Sequence, residues 1–172
     1  PLGRAVRKTD QAGVPTRYQY DALGRLTTVT DALNQATSYA YDEVGNRRAQ
    51  TDANSHTTGF EYDKVGRRTK RSLPLGQTET ATYDAAGNRL SLTDFNGFTT
   101  SYAYDVVNRL LSKAPDARRA EPAVGFTYTP TGRRASMSDA SGTTTYGYNS
   151  RDRLVIKATP QGVLSYTYDV GG

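Results

Sequence analysis

The chain of 172 residues has no cysteine and no tryptophan, one histidine and one methionine. Without cysteine there is no disulfide framework, thiolate nucleophile or zinc–thiolate site, and that absence fits an exported and a cytosolic protein equally. No apolar run approaches the roughly 18 residues that a membrane-spanning helix needs. Apolar residues make up 35% of the chain, below the roughly 45–50% usual for a compact domain on a count that includes glycine, and the 16 glycines narrow that gap without closing it. No secretory leader opens the chain, and Pro1-Leu2-Gly3-Arg4 reads as the middle of something longer. The net charge is +5, with arginine outnumbering lysine. A nucleic-acid binder would gather those charges into a stripe. Here they are scattered at similar places in a recurring pattern that also holds aspartate, so they read as turn and surface arginines and no nucleic-acid partner is expected.

What the chain does have is tyrosine at a fixed period. Tyr20, Tyr41, Tyr62, Tyr83, Tyr104, Tyr128, Tyr148 and Tyr168 follow one another at intervals of 21, 21, 21, 21, 24, 20 and 20 residues. Aspartate comes next at Asp21, Asp42, Asp63, Asp84, Asp105 and Asp169. A period of this length signals one supersecondary unit stacked on copies of itself, with work that is architectural. The copy at 83–104, YDAAGNRLSLTDFNGFTTSYAY, shows two strands and two turns.

In the first turn, aspartate can accept bonds from backbone N–H groups further on, and glycine supplies a positive φ. Gly24, Gly45, Gly66, Gly87 and Gly132 stand four residues after their tyrosines, with Asn108 and Asp152 as substitutes. These glycines lack the spacing and following helix of a phosphate loop. The second turn, Asp94-Phe95-Asn96-Gly97, carries the Asn-Gly hairpin signal. Asp139-Ala140-Ser141-Gly142 reads as its repeat, and Asp31–Asn34 and Asp52–Ser55 as variants. Pro74-Leu75-Gly76 and Pro160-Gln161-Gly162 are expected to reach the same bend with proline setting φ. None of these loops has the spacing or closing glutamate of a calcium-binding hand, so no metal or cofactor is expected.

Between the turns the period is two. Tyr18 and Tyr20, Tyr39 and Tyr41, Phe60 and Tyr62, Tyr102 and Tyr104, Phe126 and Tyr128, Tyr146 and Tyr148, and Tyr166 and Tyr168 each share a face; only Ala81 interrupts. This is strand composition. The expected fold is all-β: consecutive antiparallel hairpins of about 21 residues forming a curved or spiral sheet. Seven repeats predict about fourteen strands, with aromatic rings meeting across the sheet. The array spans 1–172, incomplete at both ends, and Lys113–Pro122 reads as an irregular, longer outer turn, with a docking loop as the alternative, because Pro115 and Pro122 exclude a central strand. No capping module is visible, which predicts a piece of a longer array that associates edge to edge.

An enzyme is not expected. His56 lies beside the turn at Asp52, which reads as a surface histidine rather than a His–Asp pair, and no serine stands in a nucleophile elbow. The competing binding reading has tyrosine rows stacking on sugars, as a glycan- or cell-surface-binding module; it requires those rows to line an open groove.

The motifs YDALGRL, YDEVGNR, YDKVGRR and YDAAGNRL resemble the YD repeats of Rhs proteins, the large polymorphic toxins of bacteria. The resemblance covers roughly residues 16–172. Related repeats occur in toxin-complex proteins of insect pathogens and in teneurins. The resemblance implies a spiral sheet around a hollow cocoon that, in the bacterial members, encloses a cytotoxic C-terminal domain. It implies neighbouring repeats and that enclosed toxin domain as partners. It also implies a protein secreted, delivered by a bacterial secretion system, or displayed at a cell surface. The copies VVNRLL, TPTGRR and NSRDRL drift from the pattern, seven units are too few to close a cocoon, and no autoproteolytic boundary is recognisable. Protease and toxin residues are therefore not carried over.

Overall fold

The computed structural model describes residues 3–169 and residue 171. Pro1, Leu2, Val170 and Gly172, on which the readings of the chain's opening and of its eighth unit partly fall, lie outside the described residues. The chain divides into two compact units, Pro1–Ala81 and Thr82–Gly172.

The first unit holds β1 (Arg7–Thr9), β2 (Pro15–Tyr20), β3 (Leu26–Thr30), β4 (Ala36–Tyr41), β5 (Arg47–Thr51), β6 (Thr57–Tyr62), β7 (Arg68–Ser72) and the start of β8 (Thr78–Tyr83). The second holds β9 (Arg89–Thr93), β10 (Thr99–Tyr104), β11 (Leu110–Ala114), a 3-10 turn at Ala117–Arg119, β12 (Val124–Tyr128), β13 (Arg134–Asp139), β14 (Gly142–Tyr148), β15 (Leu154–Thr159) and β16 (Gly162–Ser165). Strand order follows chain order, so the antiparallel sheet is built from successive hairpins and does not close into a barrel. The described strands number sixteen rather than fourteen, because β1 precedes the first tyrosine strand and β16 follows the seventh hairpin.

Within each unit one sheet face carries the aromatic side chains, and the other carries mostly small ones, with longer side chains such as the Glu61–Lys70 pair and Ile156 among them. Tyr39 pairs with Gln50 and Phe60 with Arg71 on the first face, while Ala40 pairs with Ala49 and Gly59 with Ser72 on the second. Period-two alternation in the sequence becomes this division directly. A single layer buries little: Phe60 is the one buried apolar side chain among the described residues.

Six of the tyrosine strands pair with the next strand through a β-bulge placed at the tyrosine. Gln19 faces Thr28 and Tyr20 faces Leu26, leaving Thr27 as the extra residue. The same shift falls at Ala40/Tyr41 and Glu61/Tyr62 in the first unit, and at Ala103/Tyr104, Thr127/Tyr128 and Gly147/Tyr148 in the second. A bulge bends its strand and raises the local twist, so the bend is written into each of these six hairpins.

The turns bear out one expectation and correct another. The Asn-Gly turn at 94–98 is a hairpin joining β9 and β10: Gly97 N–H donates to Asp94 O and Asp94 N–H to Phe98 O, the pattern that Gly24 and Asp21 make in the first turn. Both are three-residue loops whose last residue takes positive φ. Gly24 (φ 79°) and Gly97 (φ 77°) supply it freely, whereas Asn34 (62°), Ser55 (66°), Asn108 (65°) and Asp152 (56°) supply it with a side chain. The turns at Asp139–Gly142 and Thr159–Gly162 do not repeat this loop. Asp139 pairs directly with Gly142 and Thr159 with Gly162, so two residues connect the strands. One residue fewer per turn accounts for the last two tyrosine intervals of 20 in place of 21.

Candidate functional site

The constellation that recurs most is built on the first turn, and its chemistry is structural. Asp21 accepts the backbone N–H of Arg25 on Oδ1 at 2.8 Å and Arg25 Nε on Oδ2 at 2.6 Å. Asp63 with Arg67 and Asp105 with Arg109 repeat the arrangement. Where asparagine stands instead, its amide takes the guanidinium's place: Asn46 Nδ2 donates to Asp42 Oδ2 at 2.9 Å and Asn88 Nδ2 to Asp84 Oδ2 at 2.8 Å. Thr129 and Asn149 stand in for the aspartate in the drifting copies, each accepting the backbone N–H four residues on.

Bonds to the ionised form lower a carboxyl's pKa. Asp21 and Asp105 are held below their ordinary value first by the backbone N–H of the arginine four residues on, then by its guanidinium. For Asp42 and Asp84 the asparagine amide contributes most. At Asp63 burial pulls upward most strongly, and the bonds from Arg67 together outweigh it.

The period tyrosines, all but Tyr168 at the end of a strand, have hydroxyls that donate to backbone carbonyls. In the first unit Tyr20 donates to Ala5 O at 3.0 Å, Tyr41 to Leu26 O at 2.8 Å and Tyr62 to Arg47 O at 3.0 Å. In the second, Tyr104, Tyr128, Tyr148 and Tyr168 donate to the carbonyls of Arg89, Leu110, Arg134 and Leu154 at 2.7–3.2 Å. Leu26 lies beyond Thr28, where the β3–β4 ladder stops, so its carbonyl accepts from the next hairpin's tyrosine rather than from the β4 backbone. Tyr83 closes β8 at the corresponding place. Gly45, Gly66, Gly87 and Gly132 each donate their N–H across the turn to the residue three before, and Asp169 lies in the irregular stretch after β16.

The arginines are not simply turn and surface residues. Arg25 lies over the Tyr41 ring at 4.9 Å and donates from Nη1 to Asp42 O at 2.9 Å, joining two hairpins of the first unit. Arg47 lies over Phe60 at 4.8 Å and Tyr39 at 5.8 Å. In the second unit Arg89, Arg109, Arg134 and Arg153 cover Tyr102, Tyr128, Phe126 and Tyr168. Guanidinium groups are thus interleaved with the aromatic rows, where the sequence suggested rings meeting rings. Each such contact is worth about 0.5–1 kcal/mol when exposed. The signal was present in the sequence as an arginine one residue (Arg25, Arg109, Arg153) or two residues (Arg47, Arg89, Arg134) after turn position four, but spacing alone does not say what a cation stacks on.

His56 sits 3.2 Å from Asp52 through Nδ1, and both are exposed. It occupies the place that Phe98 takes in the turn at Asp94, and Asp52 is the one side-chain partner of its ring among the described residues. Among the described residues no group of three or more potential metal ligands occurs. The insert 113–122 folds back on its own unit. Asp116 accepts Thr99 N–H at 2.8 Å, Arg119 pairs with Asp94 at 2.5 Å, and Arg118 and Arg119 both cover the Phe98 ring. The guanidinium of Arg118, then the Thr99 N–H, hold Asp116 far below the usual carboxylate range.

Comparison with known proteins gives a consistent result. The family model described as RHS Repeat matches residues 1–36, 20–57, 41–79, 62–99, 83–119 and 128–164. No curated protein sequence matches the chain. Among solved structures the chain is similar to TcdB2-TccC3, with TM-score 0.69 and 21% identity over 90% of this chain and 10% of that one. It is similar to TcdB2-TccC3 lacking its hypervariable C-terminal region, with TM-score 0.69 and 19% identity over 90% of this chain and 9% of that one. It is also similar to the Photorhabdus luminescens Tc holotoxin pore, with TM-score 0.68 and 20% identity over 90% and 9%. At these identities the likeness is one of fold, and the chain spans about a tenth of the chains it resembles.

Proposed function

The chain belongs to the RHS repeat family, and from that membership we propose that it is a length of shell wall in a secreted toxin-complex-like protein. Its part there is to enclose a toxic domain that lies elsewhere in the parent. The observation that carries this reading is where the repeat spends its functional groups. Tyrosine hydroxyls go to backbone carbonyls, turn aspartates to backbone N–H groups and guanidinium groups, and arginines to ring faces. A wall needs this internal satisfaction; a catalyst needs groups left over for substrate. The tyrosines, glycines and turn aspartates of the repeat serve as framework, and the partners are neighbouring repeats and the enclosed domain.

The glycan-binding alternative asks for tyrosine faces open to a sugar. Rings covered by arginine, with hydroxyls already donated, argue against it. Glycan-array binding of the wild type and of Tyr102→Ala separates the two readings: a specific signal lost in the variant would favour the binding module. The decisive experiment is cryo-electron microscopy of the full-length parent. A closed shell with density inside is expected, and an open groove lined by tyrosines would overturn encapsulation.

A further inference from the structure

The second turns form a row along one edge of each unit, and two of them share a chemical plan. The turn at Asp94 has a carboxylate first and an aromatic ring, Phe98, fifth; the turn at Asp52 has a carboxylate first and an aromatic ring, His56, fifth. In the second unit the insert fills the space beside this pair. Arg119 bonds Asp94 at 2.5 Å and lies over Phe98 at 4.4 Å, and Arg118 lies over the same ring and donates to Gly97 O. In the first unit the next second turn, Leu73–Gln77, is too short to fold back. The corresponding space is open: a recess of about 390 Å³ lined by Asp52, His56, Leu73, Pro74, Leu75 and Gln77.

We propose that this recess is a docking site for an arginine side chain of a partner polypeptide, seated against Asp52 and His56 as Arg119 is seated against Asp94 and Phe98. Charge complementarity names the occupant. Asp52 is the only formally charged side chain among the lining residues when His56 is neutral, and its side chain is 48% exposed. The wall opposite is apolar, with Leu75 85% exposed at the turn tip, which suits the methylene stem of an arginine. The planar guanidinium can bond a carboxylate and lie on a ring at once; a lysine cannot do both. A neighbouring recess lined by Asp31, Gln35 and Asp52 lies one hairpin away, about 10 Å along the edge. An extended partner covers that distance in about three residues, so a second cation three positions on would reach Asp31. The inference does not depend on the shell reading, because it rests on the two turns alone.

His56 is the sole histidine of the chain, so its ring protons report on the recess without ambiguity. The full chain is titrated with a synthetic peptide of residues 113–122, and with the same peptide carrying Arg118→Gln and Arg119→Gln. Saturable shifts of the His56 signals with the arginine peptide only are expected, and roughly fivefold weaker binding by Asp52→Asn. No saturable shift, or equal shifts with the glutamine peptide, would overturn the proposal, and both readings use the unaltered protein.

Discussion

Replacing Tyr41 by phenylalanine removes one oxygen and tests the reading of the tyrosine period. The hydroxyl donates to Leu26 O at 2.8 Å in a half-buried setting. Phenylalanine keeps the ring and its place under Arg25, 4.9 Å away. The loss is therefore a single bond, worth about 0.5–1.5 kcal/mol net, plus part of the penalty of about 1–3 kcal/mol for a carbonyl left unpaired. Partial exposure lets water recover some of that penalty, so about 1–2 kcal/mol is expected. For a chain of this length that is roughly 3–6 °C in midpoint. Tyr39→Phe is the control: among the described residues no hydrogen bond involves the Tyr39 hydroxyl, and Phe60 and Phe126 hold the matching position in other hairpins. It should cost less than about 0.5 kcal/mol. Thermal and urea melts of both variants give the comparison, with hydrogen exchange near Leu26 as a local readout, since repeat arrays need not melt in one step. Equal destabilisation by the two variants would refute the argument.

Three further outcomes follow from the turns. Gly87→Val should lower the midpoint more than Ser91→Val, because Gly87 sits at φ 96°, a region that a β-branched residue disfavours; equal midpoints would sink this. Ser55→Gly should raise stability by about 0.5–1 kcal/mol, since Ser55 holds φ 66° at a left-handed cost of about 1–2 kcal/mol that the greater freedom of an unfolded glycine partly offsets; an unchanged or lower urea midpoint would contradict it. Acid should destabilise the fold. Asp21, Asp42, Asp84 and Asp105 have folded pKa values depressed below 3.8, so their contribution is complete above that value and is lost as pH falls through the folded values. Melting midpoints should thus be flat down to about pH 4 and fall below it, and a flat profile down to pH 2 would refute the linkage.

The repeat, the strands and the positive-φ turn residues were legible because each has a local cause. Alternation of Tyr39, Ala40 and Tyr41 fixes a strand with two faces, and a Gly four residues after tyrosine fixes a loop. What the tyrosine hydroxyls touch was not legible, because those carbonyls lie in the preceding hairpin; nor were the rings that the arginines cover, which lie in the same hairpin for Arg134 and in the next for Arg25 and Arg109. The one hint was that the period position is tyrosine in all eight copies, while the position two before it accepts Phe60, Phe126 and Ala81. The shared three-residue geometry of both turns was hidden by the Asn-Gly pair at 96–97, whose usual meaning in a two-residue hairpin does not apply when a third loop residue precedes it. The insert's prolines announced an interruption, and only coordinates could place Arg119 on Phe98.

The tyrosine bonds also give the array a direction. Tyr41 reaches back 15 residues to a carbonyl that its own hairpin does not contain, so every unit is finished by its successor. A chain leaving the ribosome would complete each hairpin only once the following tyrosine had emerged. Trimming is correspondingly unequal: a cut after Thr30 would strand the Leu26 carbonyl, while a cut before Pro15 would release the Tyr20 hydroxyl at Ala5 to water. Beyond the strand edge that either cut exposes, shortening from the beginning frees a hydroxyl, and shortening from the end leaves a half-buried carbonyl unpaired.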